Sequence, residues 1–222
     1  MITFKELFPY MEYMNLDRNV ERRKLVEEEF SCLGISPIRM PGVYVKGSGN
    51  TVVDGALGCM FAHREILENA LRKGENVFIF EDDILFLNKK NIREIIDKAC
   101  TELDEREWDM FYLSANILRP HYQISEHLSK LTHAQNTAGY GVHKSFVPIL
   151  LDKYLPTIET IKQVWIDVIY ADTVIPQHNC FITVPQLAVQ RDGWSDIMNS
   201  AAQYSEYMQT RYKTYLIPLS KK

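Results

Sequence analysis

The chain has 222 residues, of which 46% are hydrophobic and 24% charged, enough for one domain spanning 1–222 with a well-buried core. Twenty-five Lys+Arg stand against 29 Asp+Glu, giving a formal charge of -4. With no long basic run to track a phosphate backbone, nucleic acid is excluded as an expected partner.

Met1 to Tyr10 carries Lys5 and Glu6 and lacks both a basic leader and a sustained apolar run, which predicts a cytoplasmic chain without a signal peptide. Tyr10 to Leu16 reads as a strand and Val20 to Leu33 as a helix stopped by Gly34. Val20, Lys24, Leu25, Phe30 and Leu33 form the expected buried stripe, while Arg22, Arg23 and Glu27-Glu28-Glu29 face outward. The turn between them has two readings. Asn15 and Arg18 at a first β-α turn are placed to meet a nucleotide, whereas Asp17 or Asn19 capping the helix, with the arginines paired to glutamates, is purely structural.

Gly34 to Asp54 reads as a mobile, loop-rich crossover with a brief Val43-Tyr44-Val45 strand. A helix follows, from Asp54 to Lys73, in which Gly55, Ala56 and Gly58 allow close backbone approach. His63 in that helix is either a hydrogen-bonded core residue or a group that approaches a ligand.

Val77-Phe78-Ile79-Phe80 reads as a strand buried on both faces, and three acids, Glu81-Asp82-Asp83, interrupt the apolar run before Ile84-Leu85-Phe86. A buried strand carries three carboxylates only where it ends, and in open α/β sheets the carboxyl ends of strands present ligand groups. Carboxylates held together repel one another, and a divalent cation removes that cost. Glu81 and Asp83, two apart, point the same way if the strand continues and are the candidate metal ligands; Asp82 on the other face is a candidate for a sugar or ribose hydroxyl. Hard carboxylate oxygens suit Mg²⁺ or Mn²⁺; the other reading of the triplet is simply an acidic turn after a strand.

Asn91 to Glu105 reads as an amphipathic helix and Trp108 to Ala115 as a strand ending in polar residues. Ile117 to Gln135 has no clear period and reads as an irregular insertion; its His121, His127 and His133 do not fit a helical metal pair. Helices are predicted over Lys144 to Tyr154 and Thr157 to Ile169. Asp167, set among Trp165, Ile166, Val168 and Ile169, has either a structural hydrogen-bonding role or a raised pKa suited to proton transfer. Phe181 to Val184 reads as a last strand, followed by a polar segment Gln190 to Asp196 and a tyrosine-rich terminal helix. Cys32, Cys59, Cys100 and Cys180 lie scattered, with no pair at zinc-ligand spacing, and read as reduced core residues. No stretch is long enough to span a bilayer, and Lys221-Lys222 leaves room for a weak peripheral membrane contact only.

In order along the chain, several blocks resemble glycosyltransferase family 25, the group that includes lipooligosaccharide and collagen galactosyltransferases. Asn15-Leu16-Asp17-Arg18 with Arg22 and Arg23 is similar to its Asn-Leu-Asp-Arg opening, and Gly58-Cys59 through Ala62-His63 to its Gly-Cys-x-x-Ser-His block, with Ala62 for Ser. Phe80-Glu81-Asp82-Asp83-Ile84 is similar to its Leu-Glu-Asp-Asp-Val metal motif, and Thr137 to Val142 to its Thr-x-Ala-Tyr-Val-Ile block. Asp167, Gln190 and Ser195-Asp196-Ile197 match elements near its end.

The resemblance implies a GT-A-type α/β domain, with a Rossmann-like, mostly parallel central sheet flanked by helices. It also implies a UDP-sugar donor, Mn²⁺ or Mg²⁺, and inverting transfer of galactose or glucose to a hydroxyl of a glycan or protein. Glu81 and Asp83 are then the metal pair, and Asn15, Arg18, His63 and Asp82 the donor contacts. Asp167 is the catalytic base with Asp196 as runner-up, and Gln190 and Ser195 border the acceptor. Two rivals are a non-catalytic sugar- or nucleotide-binding module and a metal-dependent nucleotidyltransferase. The second is expected to carry a Gly-rich phosphate loop after its first strand, and Asn15 to Asn19 contains no glycine.

Overall fold

The computed structural model describes residues 1–155, 157 and 165–220. In chain order the elements are α1 (Phe4–Leu7), β1 (Tyr10–Asn15), α2 (Val20–Leu33), β2 (Ile38–Pro41), α3 (Thr51–Lys73), β3 (Val77–Glu81) and β4 (Ile84–Phe86). Next come α4 (Ile92–Asp104), β5 (Met110–Tyr112), β6 (Asn116–Ile117), β7 (His121–Gln123), β8 (Leu128–Lys130), β9 (Ala134–Gln135) and β10 (Gly139–Val142). Then follow α5 (Val147–Ile149), continued by a π-helical turn Leu150–Tyr154, and α6 (Ile166–Ile169), continued by a second such turn Tyr170–Val174. The chain closes with β11 (Cys180–Thr183), β12 (Ala188–Gln190), β13 (Gly193–Ser195), β14 (Ser200–Ala202), α7 (Ser205–Tyr215) and β15 (Leu216–Ile217).

Nine strands form the central sheet in the order β15-β7-β8-β11-β5-β10-β3-β1-β2. The pairings β1·β2, β1·β3, β5·β11 and β7·β15 are parallel, and those of β10 and β8 with their neighbours are antiparallel. All strands but β10 and β8 therefore run the same way, and the architecture is α/β with a mostly parallel central sheet flanked by helices.

Strand β3 lies inside this sheet, and its alternating side chains feed two separate cores. Val77 and Ile79 pack on one face with Met60, Ile66 and Leu67 of α3. Phe78 and Phe80 pack on the other with Phe30 of α2 and Ile96 and Leu103 of α4. Both faces of the strand are buried, as its unbroken apolar run predicts. Helices α2 and α3 each end on a glycine in the left-handed region, Gly34 (φ 63°) and Gly74 (φ 69°), where a Cβ carries a steric cost.

Several sequence expectations need correcting. The buried stripe of α2 is Val26, Glu29, Phe30 and Leu33, whereas Val20 and Leu25 are exposed, because the helix is rotated to aim Arg22 at the sheet's carboxyl edge. The strand of the crossover is Ile38–Pro41, which pairs with β1, and Val43 to Val45 instead lies against α3 as irregular chain. The segment read as an irregular insertion supplies β7 and β8 to the main sheet and pairs β6 with β9. Of the helix expected over Thr157 to Ile169, residues 166–169 are helical and the stretch 158–164 lies outside the described residues.

Candidate active site

The carboxyl ends of β1 and β3 open onto a cavity of about 710 Å³, lined among others by Asn15, Arg18, Tyr44, Glu81, Asp83 and Asp196. That volume is in the range of pockets that hold a small-molecule ligand or cofactor. A smaller cleft of about 200 Å³, lined by Asp167, Asn136, Thr137 and Trp165, shares Cys59, Glu81, Gln190 and Ser195 with it. Two spaces thus meet over the acidic end of the central strand.

Strand β3 stops at Glu81, and Asp82 and Asp83 occupy the turn before β4. Glu81 turns toward α3, where its Oε1 meets His63 Nε2 (3.2 Å) and accepts from Thr137 Oγ1 (2.6 Å). Burial opposes its charge, but the bonds from His63 and Thr137 prevail and hold its pKa below the ordinary value. Asp82 and Asp83 turn the other way, onto Arg22. The strand does not continue, so Asp83 leaves the face of Glu81 and joins Asp82 on one guanidinium.

Arg22 Nη2 pairs with Asp82 and lies 3.0 Å from Asp83 Oδ2, while Nη1 is 3.5 Å from Asp196 Oδ2. Its burial works against the charge, yet Asp83, Asp82 and Asp196 outweigh that and keep the guanidinium ionised. Asp83 also accepts from Gln190 Nε2 (2.9 Å), and β12 is held beside it by antiparallel pairing with β4. Burial first, and the neighbouring charges of Glu81 and Asp82 with it, push the Asp83 carboxyl up to about 7 despite Arg22. Its Oδ1 is buried without a hydrogen-bond partner among the described residues. An orphaned carboxylate oxygen on Asp83 is a hard donor of the kind a divalent cation takes, so the chemistry of these acids fits the expected metal, although Glu81, engaged by His63 and Thr137, would have to turn back to share an ion with Asp83.

The other candidates fall around this centre. Asn15 is almost fully enclosed: its Nδ2 donates to Asp82 Oδ2 (2.6 Å) and to the Asn19 carbonyl (3.1 Å), and its Oδ1 accepts from Arg39 Nε (3.2 Å). Its side chain therefore positions Asp82. Asp82 itself is buried and pushed upward, mainly by desolvation. Arg18 stays half exposed at the mouth, over the Tyr44 ring at 5.3 Å and 3.1 Å from Asp196 Oδ1. His63 lies wholly beneath the cavity floor, with its Nδ1 on Tyr140 Oη (3.0 Å). It reaches the cavity through Glu81.

Asp167 lines the smaller cleft, accepting the Val168 N–H at 2.9 Å, and burial raises its pKa. Asp196, by contrast, is tied up by Arg18, Arg22 and Asn19 Nδ2 (2.6 Å). Gln190 stands between the two spaces, accepting from Asn136 Nδ2 (3.0 Å) while it donates to Asp83. Ser195 caps the turn of the β13–β14 hairpin by accepting the Met198 N–H (3.1 Å).

Sequence reasoning gave three participants no role, although each lies in a block that resembles the family. Arg22 reads as solvated because arginine on an amphipathic helix normally is. Thr137 opens one of the blocks that resemble the family, but nothing in the sequence ties it to Glu81. Cys59 lies one helical turn before His63, an i,i+4 spacing that places both on one face of α3 and was the available clue.

The sequence profile described as glycosyltransferase family 25 (LPS biosynthesis protein) matches residues 38–165, more than half of the chain. The chain belongs to glycosyltransferase family 25. The match covers the acidic end of β3, α3 with His63, and Thr137. The mouse protein "Inactive glycosyltransferase 25 family member 3" is 28% identical over 109 residues, which is 48% of this chain and 18% of that protein. The human protein of the same name is 31% identical over 84 residues, 36% of this chain and 14% of that one. The matched stretch thus spans less than a fifth of these relatives' own length. Among solved structures, a glycosyltransferase involved in the glycosylation of the major capsid of PBCV-1 aligns over 90% of this chain and 98% of its own, at 16% identity and a TM-score of 0.45.

Proposed function

We propose that this chain is a metal-dependent hexosyltransferase that moves galactose or glucose from a UDP-sugar to a hydroxyl of a glycan or protein, with inversion. The observation that carries this reading is the triplet Glu81-Asp82-Asp83 at the end of β3, on the floor of the 710 Å³ cavity and beside a second cleft that holds Asp167.

In this reading the larger space takes the donor and the smaller one the acceptor. Glu81 and Asp83 hold Mn²⁺ or Mg²⁺, which when bound neutralises charge on the departing diphosphate. Asp82, fixed by Asn15, is set for a ribose or sugar hydroxyl, and Arg18 and Tyr44 flank the nucleotide at the mouth. Asp167 accepts the proton of the acceptor hydroxyl as that oxygen bonds to the anomeric carbon and the bond to the diphosphate breaks. Its raised pKa makes it a stronger base than an exposed aspartate.

A non-catalytic binding module is the second reading, favoured by the word inactive in the names of the mouse and human relatives. Release of hexose from UDP-galactose or UDP-glucose in the presence of Mn²⁺ separates the two. The transferase reading expects turnover that Asp83→Ala abolishes and that Asp167→Asn lowers by about 10²–10⁴-fold in transfer to an acceptor, without loss of donor binding. UDP-sugar binding with no turnover supports the binding module instead, and an Asp167→Asn chain that transfers normally removes Asp167 as the base.

A further inference from the structure

Cys59 and His63 project from the same face of α3, and their ligand atoms lie together with a carboxylate oxygen of Glu81, all within 4.8 Å of one another. We propose that these three side chains form a second, softer cation site, selective for a thiophilic divalent ion of the Zn²⁺ class, which shares Glu81 with the all-oxygen pair Glu81 and Asp83. Sulfur and imidazole ligands favour Zn²⁺, whereas carboxylates alone favour Mg²⁺ or Mn²⁺. Glu81 thus stands between N/S donors on α3, Cys59 at the cavity and His63 beneath it, and the oxygen donors of the turn after β3.

The geometry is close to that of a three-ligand open site. Donors bound tetrahedrally at zinc distances stand roughly 3.3–3.8 Å apart. His63 Nε2 and Glu81 Oε1 are already 3.2 Å apart, and since all three ligand atoms lie within 4.8 Å, closing on an ion asks a shift of at most about 1–1.5 Å. Cys59 and Glu81 both line the two solvent spaces, which supplies an entry path and an open fourth position.

The surroundings also orient the ligands as metal sites require. Tyr140 Oη holds His63 Nδ1 at 3.0 Å and meets Tyr170 Oη at 3.3 Å, while Thr137 Oγ1 donates to Glu81. Without metal, Nε2–H donates to Glu81 and Nδ1 accepts from Tyr140. With an ion on Nε2 the ring proton sits on Nδ1 and donates to Tyr140 Oη, whose own proton turns to Tyr170. Cys59 gives its thiol proton to solvent as the sulfur–metal bond forms. Occupancy withdraws Glu81 from Asp83; this consequence rests on the transferase reading, whereas binding itself is read without turnover.

The test uses the full chain carrying Cys32→Ser, which removes a partly exposed thiol elsewhere. Co²⁺ is titrated as a spectroscopic probe and then displaced by Zn²⁺. The site predicts one equivalent with thiolate-to-cobalt charge-transfer absorption, lost on adding Cys59→Ser, with affinity at least tenfold weaker. Absence of that absorption, or its survival in Cys59→Ser, overturns the site. If Cys59→Ser does not fold, X-ray absorption of the Zn²⁺-loaded Cys32→Ser chain decides: one sulfur at about 2.3 Å with nitrogen and oxygen at about 2.0–2.2 Å supports the site, and a shell without sulfur refutes it. Either result is independent of whether hexose is released.

Discussion

Arg22 is a cation already seated among the acids. Its guanidinium meets Asp82, Asp83 and Asp196 at once, so it links the turn after β3 to the β13–β14 hairpin that borders the cavity. Removing one partner of such a cluster leaves charge buried and unpaired. Arg22→Met is expected to destabilise the metal-free chain by about 3 kcal/mol, and added Mn²⁺ is expected to raise its melting temperature more than that of the wild type, since the ion then replaces the lost charge. Equal shifts in both chains would show that the acids do not hold the ion. At this scale the acids were legible and the arginine was not. Three carboxylates ending an apolar run violate the pattern of a buried strand, whereas Arg22 violates nothing in the pattern of a helix; only its partners, 60 and more residues away, reveal it.

Among the elements, α3 does the most to shape the site, and Gly58 shows how. A Cβ there would stand 2.3 Å from the Val43 carbonyl oxygen, so the crossover after β2 rests directly on the helix and forms a cavity wall. Gly58→Ala forces backbone apart and is expected to cost about 1–3 kcal/mol and to weaken nucleotide binding through Tyr44. Denaturant unfolding and UDP titration of that variant check both, and a fully stable, normally binding alanine variant contradicts the packing. The small residues of this helix announced a close approach in the sequence, but what approaches is irregular chain rather than a strand. Val43-Tyr44-Val45 has strand composition, and its register is lost because β2 ends at Pro41.

For the molecule as a whole, the sheet's β1–β3 half was legible and its β7–β15 half was not. The runs Tyr10 to Leu16 and Val77 to Phe80 are long enough to carry a pattern. Strands of three residues such as β7 and β8 are not, and they exist because tertiary partners complete them. His121 on β7 is one such tie: buried, its Nε2–H donates to the Tyr212 carbonyl (3.0 Å) of α7 and its Nδ1 accepts from Ser129 Oγ (2.8 Å) on β8. Burial lowers its pKa below the ordinary histidine value of 6.5. The unfolded chain therefore binds the proton first, and the stability this group contributes is present above pH 6.5 and lost as pH falls toward and through its folded pKa. Unfolding followed from pH 7 to pH 5 should show a loss of at most about 1.4 kcal/mol per pH unit from this residue, and His121→Gln should flatten it.

The central claim is that the acidic end of β3 binds a nucleotide through a divalent cation. Calorimetry of UDP with and without Mn²⁺, on the wild type and on Asp83→Ala, tests it most directly. The account predicts binding that requires Mn²⁺ and disappears in Asp83→Ala. Binding indifferent to Mn²⁺, or unchanged in Asp83→Ala, would contradict it.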